Sequence, residues 1–155
     1  MPACDGDLGD RILIVDDDPA SVLLLSTVLR QMGAEVRGVS ASSEALRAFH
    51  QFEPDLVLLD LHMPAPDGFE ILRSLRAPRA FAGYLPVLVL TADTSTEARD
   101  AALELGADDF LNIPLDRAEI VVRVRNLLLT RRLYRQIAGL STPPTPGIAE
   151  RPGPA

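Results

Sequence analysis

Three five-residue runs rich in valine, isoleucine and leucine, at 11–15, 55–59 and 86–90, constrain this chain more than any other feature. They are too short for ordinary helices, and their apolar residues fall on consecutive rather than alternate positions. That is the pattern of strands buried on both faces. Two weaker candidates are 35–39 (EVRGV) and 108–111 (DDFL), the second following Gly106 as a strand follows a helix stop. Between them lie segments of helical spacing: Val22, Leu25, Val28 and Leu29 before Gly33; Ala45, Leu46 and Phe49; Ile71, Leu72 and Leu75; Ala98, Ala102 and Leu105. Asp67 with Glu70, Thr94 with Glu97, and Asp116 with Glu119 have the spacing in which two side chains satisfy the free amides of a helix start. Strict alternation of strand and helix predicts a parallel sheet covered on both faces, a three-layer α/β sandwich.

In such sheets ligands gather outside the carboxyl ends of the strands. The first strand runs into Asp16, Asp17 and Asp18, the third into Asp60, the fourth into Thr91 and Ala92, and the fifth into Asn112-Ile113-Pro114. Carboxylates brought together from neighbouring strands repel one another unless a cation or proton offsets them. An oxygen-only set with room for a phosphate suits magnesium better than zinc or copper. Beside such an ion Asp60 is placed to attack phosphorus, while Thr91 offers a hydroxyl and Ala92 leaves the approach open. By itself Asp16-Asp17-Asp18 would read as a solvated loop capping the first helix, and Thr91 as a β-branched strand residue. It is Asp60 at a matching strand end that favours the functional reading.

The stretches ILIVDDDP, DLVLLDLHMPAPDGFEIL, PVLVLTA and GADDFLNIPL stand in one order and at characteristic spacings. Over roughly residues 10 to 130 the chain thereby resembles the receiver domain of bacterial two-component response regulators. The resemblance implies a flavodoxin-like (βα)5 sandwich with strand order 2-1-3-4-5. It implies Asp60 as phosphoacceptor, and a Mg2+ site made by Asp16, Asp17, Asp60 and the main-chain carbonyl of His62. Thr91 would be the hydroxyl that follows the phosphoryl group, and Phe110 the aromatic that reports it. The implied partner is a histidine kinase or phosphotransfer protein, and the implied role is signalling rather than turnover. A homodimer could form through the fourth helix, fifth strand and fifth helix, or through the extended last helix. One departure stands out: where the family carries lysine before proline, this chain has Ile113-Pro114. All fifteen basic residues are arginine, so no lysine elsewhere replaces it.

The organisation expected from these features is a loose N-terminus over 1–9, the receiver over 10–138 with a lengthened last helix from about Asp116 to Ile137, and a linker or tail over 139–155. Five prolines among residues 141–155 cannot continue a helix, and they fit either a linker in a natural chain that goes on into an output domain or the loose tail of a stand-alone protein. The last helix has two readings. In one, its arginines (Arg123, Arg125, Arg131, Arg132 and Arg135) form a solvated face; in the other, Ile120, Val121, Val124, Leu128, Tyr134 and Ile137 continue an apolar seam to a partner, with Arg131 interrupting it.

The net charge of −7 argues against direct nucleic-acid binding. Nothing approaches the roughly 20 consecutive apolar residues of a membrane span, the acidic start is unlike a secretory signal, and the cytoplasm is the expected location. The lone Cys4 cannot close an intrachain disulfide. Two other functions compete: a degenerate receiver that docks or dimerises without phosphorylation, as Ile113 suggests, and a haloacid-dehalogenase-type phosphohydrolase built on Asp16-x-Asp18, Thr91 and Asp108-Asp109.

Overall fold

The computed structural model describes residues 10–64, 67–76, 84–92 and 95–141, with side chains described to 137. The expected N-terminal segment 1–9, residues 142–155 of the linker or tail expected over 139–155, and Thr94 lie outside the described residues, while 139–141 belong to the last helix. Five strands, β1 (Arg11–Val15), β2 (Glu35–Val39), β3 (Leu56–Asp60), β4 (Val87–Thr91) and β5 (Asp109–Asn112), alternate with α1 (Pro19–Gln31), α2 (Ala45–Phe52), α3 (Gly68–Leu75), α4 (Thr96–Glu104) and α5 (Arg117–Ser141). A 3₁₀ turn, Ser42–Glu44, leads into α2. All pairings are parallel, in the order β2-β1-β3-β4-β5. This is the flavodoxin-like sandwich expected.

Alternate residues of the continuous apolar strands supply two separate cores. Leu13, Val15, Val57, Leu59, Val87 and Val89 face α2, α3 and α4, where Phe49, Leu72 and Ala102 meet them. Ile12, Ile14, Leu56, Leu58, Leu88 and Leu90 face α1 and α5, against Leu25, Leu29, Ile120 and Val124. Burial on both faces explains why period-2 polarity is absent from the sequence. Among the described residues no helix is long and apolar enough to cross a membrane.

Three strands begin one residue later than expected, for identifiable reasons. Asp55 and Asp108 do not enter their strands. Their carboxylates accept the N–H of Arg11 at 2.7 Å and of Val87 at 2.8 Å, capping neighbouring strand starts. Pro86 has no N–H to give, and its carbonyl accepts from Val57 at 3.2 Å. At α3 the Asp67–Glu70 capping box forms in both directions, and Asp116 accepts the Glu119 N–H at 2.9 Å. The cap of α4 is Ser95 rather than Thr94, its hydroxyl accepting from Ala98 N–H at 3.2 Å. Positive φ at Gly33 (94°) and Gly106 (104°) closes α1 and α4.

The last helix runs four residues farther than expected and is not merely a solvated face. Ile120, Val124, Leu127 and Leu128 are buried in the protein's own core, whereas Tyr134 and Ile137 are exposed. The expected continuous seam is therefore divided between core and surface. Arg131 interrupts it because it is an anchor, with Nε 3.1 Å from Asp55 Oδ1. Arg132 pairs with Asp10, and Tyr134 lies 5.4 Å from Tyr84, ring centre to ring centre.

Candidate functional site: an acidic cluster at the carboxyl end of the sheet

Parallel strands that neighbour one another end side by side, so β1 and β3 deliver Asp16 and Asp60 to the same place. Asp16 continues β1 with its N–H donating to Val39 O at 3.1 Å, and its Oδ1 accepts the Asp18 N–H at 2.9 Å. Asp18 in turn caps α1 by accepting the Ala20 N–H at 3.0 Å, so it serves the helix and not the cluster. Asp60 ends β3, and its Oδ1 accepts the His62 N–H at 3.0 Å. Carboxylate oxygens of Asp16, Asp17 and Asp60 lie within 4.8 Å of one another; Asp16 and Asp60 are buried, whereas Asp17 is exposed.

Burial, followed by the nearness of Asp60, pushes the Asp16 carboxyl up to about 7, against the Asp18 N–H, which favours its charged form. Burial likewise raises Asp60, partly opposed by the His62 N–H. Asp16 Oδ2 is buried without a hydrogen-bond partner. A buried carboxylate oxygen left over in a like-charged cluster fits a hard cation such as Mg2+, whose ligands are oxygens.

Thr91 ends β4, is 1% exposed, and its Oγ1 lies 3.4 Å from His62 Nε2. The His62 imidazole thus meets the hydroxyl, a contact not expected of a residue read mainly for its main chain. Ala92 follows at the surface. Phe110 is buried in the core on the α4 side, with the Arg99 guanidinium 4.5 Å from its ring centre. Ile113 directly follows β5, its N–H donating to Thr91 O at 3.1 Å and the residue 39% exposed, with a cis bond to Pro114. An aliphatic group therefore occupies the strand end nearest Thr91.

Two residues escaped the sequence reading. A Cβ on Gly68 would stand 2.3 Å from Asp60 O and 2.4 Å from Leu61 Cα, so the start of α3 rests directly on the backbone of the Asp60 loop. A glycine at a first helical position, where it is a poor helix former, was the available signal. Arg99 lies three residues from buried Ala102, on the α4 face toward the core. By contrast, Asp108 and Asp109 stand at the opposite end of the sheet, paired with Arg76 and Arg123, which removes them from any phosphohydrolase site with Asp16 and Asp60.

Comparison with known proteins agrees with this geometry. The response regulator receiver domain model matches residues 12–125. The chain is 43% identical over 115 residues to the DNA-binding response regulator MtrA of Mycolicibacterium smegmatis, covering 74% of this chain and 49% of that protein. It is 42% identical over 121 residues to the transcriptional regulatory protein PrrA of Mycobacterium tuberculosis, covering 78% and 51%. The chain thus spans about half the length of these curated relatives. Among solved structures, the chemotaxis protein CheY4 of Vibrio cholerae superposes with a TM-score of 0.72 at 26% identity, over 77% of this chain and 98% of that one. The BeF3-activated receiver domain of Klebsiella pneumoniae RstA gives 0.70 at 30%, with the same coverage. A parallel sheet in the order 2-1-3-4-5, an aspartate cluster at its carboxyl end and a family match over most of the chain lead to one conclusion: the protein belongs to the receiver-domain family of two-component response regulators.

Proposed function

We propose that this chain is the phosphoacceptor module of a two-component relay, taking a phosphoryl group on Asp60 from a histidine kinase or phosphotransfer protein. The observation that carries the reading is the orphaned, buried Asp16 Oδ2 beside Asp60 in a cluster of three carboxylates. Asp16, Asp17, Asp60 and the His62 carbonyl would hold Mg2+, which when bound supplies positive charge against the phosphoryl oxygens. An Asp60 carboxylate oxygen forms the new bond to phosphorus as the P–N bond of the donor phosphohistidine breaks, and the departing imidazole keeps the electron pair and takes a proton. The Asp60 oxygen held by the His62 N–H is fixed in direction. Thr91 donates its hydroxyl to a phosphoryl oxygen once it turns from the His62 ring. Phe110 and the surface of α4, β5 and α5 then carry the change to a partner or an output domain, of the kind the regulators MtrA and PrrA suggest.

The charge at the site decides how strongly the switch couples. A phosphoryl group near about −2, Mg2+ and two flanking aspartates leave roughly −2, and Ile113 supplies no counter-charge. Phosphorylation of Asp60 is therefore expected to be slow or weakly coupled to Thr91 and Phe110. Ile113 specifically favours a second reading, a receiver that docks without phosphorylation.

Intact-mass measurement of the chain with magnesium and a small-molecule phosphodonor, beside Asp60→Asn and Ile113→Lys, separates the two. One added phosphoryl group that disappears in Asp60→Asn supports the acceptor. An adduct in Ile113→Lys but not in the native chain leaves the docking module.

A further inference from the structure

A polar cleft of about 320 Å³ lies between β2 and α2 and shares no residue with the aspartate cluster. One wall is the edge strand. The other is α2 with its lead-in turn, where Glu44, Arg47, Ala48 and Gln51 fall on one side at steps of three, one and three residues. Buried Val39 and Ala48 line the cleft and are too short to fill it.

Two arginines line this cleft from opposite walls, Arg37 on the strand and Arg47 on the helix. Among the described residues neither forms an ion pair, whereas Arg11, Arg76, Arg123, Arg131, Arg132 and Arg135 each hold a carboxylate. The Phe52 ring centre stands 6.0 Å from the Arg37 guanidinium, which steadies that side chain without cancelling its charge. The strand edge adds a donor. Glu35 N–H donates to Asp10 O and Val39 O accepts from Asp16 N–H, so residues 35, 37 and 39 turn their peptide groups to β1, and Gly38 turns its N–H outward. Glu44 and Gln51 bring acceptor oxygens to the same opening.

We infer that this cleft binds a small phosphate ester that also carries hydroxyl groups. Two guanidiniums on facing walls match the charge of about −2 on a phosphate monoester near neutral pH, and their N–H groups suit its oxygens. Glu44 repels a bare anion. It is satisfied by a ligand that brings hydroxyl donors together with the phosphate, and Gln51 can take or give a further hydrogen bond. The size agrees, since sites for small molecules begin at about 300 Å³. The inference uses no residue of the phosphoacceptor site, so it stands or falls separately from that reading.

Residue-resolved NMR titration of the full chain without magnesium, with ribose 5-phosphate, inorganic phosphate and ribose as probes, is the test. The expected result is a saturable shift of the Gly38, Ser40 and Ala48 amides with ribose 5-phosphate, at a Kd of about 1 mM or tighter, with inorganic phosphate at least about threefold weaker and ribose silent. Arg37→Gln and Arg47→Gln should each weaken the ester by about tenfold, and Arg125→Gln, on α5 outside the cleft, should leave it unchanged. Glu44→Gln should bring inorganic phosphate level with the ester. All four side chains belong to exposed residues, so unchanged circular dichroism will show that the variants still fold. No saturable shift with ribose 5-phosphate overturns the proposal, as does binding that survives both cleft substitutions or weakens equally in Arg125→Gln. Inorganic phosphate binding the native chain as tightly as the ester overturns the role of Glu44 and leaves a plain anion site.

Discussion

At the amino-terminal end of the sheet Asp55 is met by Arg131 at 3.1 Å and Arg135 at 3.6 Å, Asp108 by Arg76 at 2.9 Å, Asp109 by Arg123 at 2.8 Å, and Asp10 by Arg132. At the carboxyl end Asp16, Asp17 and Asp60 crowd within 4.8 Å, and among the described residues no arginine forms an ion pair with any of them. The same residue type serves opposite purposes. Paired carboxylates fasten α5 and the strand starts, whereas the unpaired ones hold repulsion that a cation can relieve. Asp10 qualifies the contrast: burial raises it even with Arg132 beside it, with nearby Asp55 adding to the rise.

The largest expected effect comes from breaking the paired end. Asp55→Ala leaves Arg131, whose side chain is 11% exposed, without its carboxylate and the Arg11 N–H without its acceptor. Loss of a largely buried pair should cost about 3 kcal/mol. Urea denaturation will check this, and a loss under about 1 kcal/mol would place the anchoring of α5 in its apolar face instead.

The unpaired end should show itself through pH. A carboxyl held above its ordinary value favours the folded state fully below the unfolded value of 3.8, and that contribution disappears as pH rises through the folded value, about 7 for Asp16. The metal-free protein should therefore lose stability between pH 4 and pH 7, on the order of 3 kcal/mol from Asp16, with Asp60 acting in the same direction. Asp10 contributes with the same sign. Saturating Mg2+ should remove the Asp16 and Asp60 part and leave that of Asp10. Melting curves from pH 4 to pH 8, with and without the ion, measure both; stability flat across this range would contradict the strained cluster.

Most of the architecture was legible because it follows from local pattern. Continuous aliphatic runs placed the strands, and strand ends placed Asp16, Asp60 and Thr91, with parallel order deciding which of them meet. What stayed hidden depends on partners distant in the chain. Arg131 finds Asp55 across 76 positions, and Arg132 finds Asp10 across 122, so arginines that the sequence allowed to be a solvated face in fact pin the helix. The contact of Thr91 with the His62 ring and the placing of Arg99 over Phe110 depend on side-chain directions in the assembled layers. No spacing rule supplies those.

A sharper form of the comparison exchanges one carboxylate at each end for its amide. Asp16→Asn keeps an acceptor for the Asp18 N–H and removes the buried charge, so at pH 8 without metal it should stabilise the protein by about 2 kcal/mol and abolish the Mg2+-induced rise in Tm. Asp108→Asn instead weakens the Arg76 pair, at 23–27% side-chain exposure, and should destabilise by about 1 kcal/mol. Opposite signs are the essential result. The same sign at both ends would mean that the aspartate cluster is not under electrostatic strain.

The smallest effect belongs to Arg99, where a cation meets the site through an aromatic ring rather than a carboxylate. Arg99 is the one basic residue of α4, and its guanidinium lies 4.5 Å from the Phe110 ring centre. Arg99→Met keeps the bulk of the side chain and removes the charge, costing about 1 kcal/mol or less. Uptake of a phosphoryl group on Asp60 should hardly change, because the stack lies beyond Thr91 and not at the carboxylates. The Phe110 ring, however, loses a contact that favours its buried position, so ring resonances in NMR should broaden or shift before any phosphodonor is added. If Arg99→Met leaves those resonances untouched, the apolar core alone holds Phe110, and charge at this end of the molecule is confined to the aspartates.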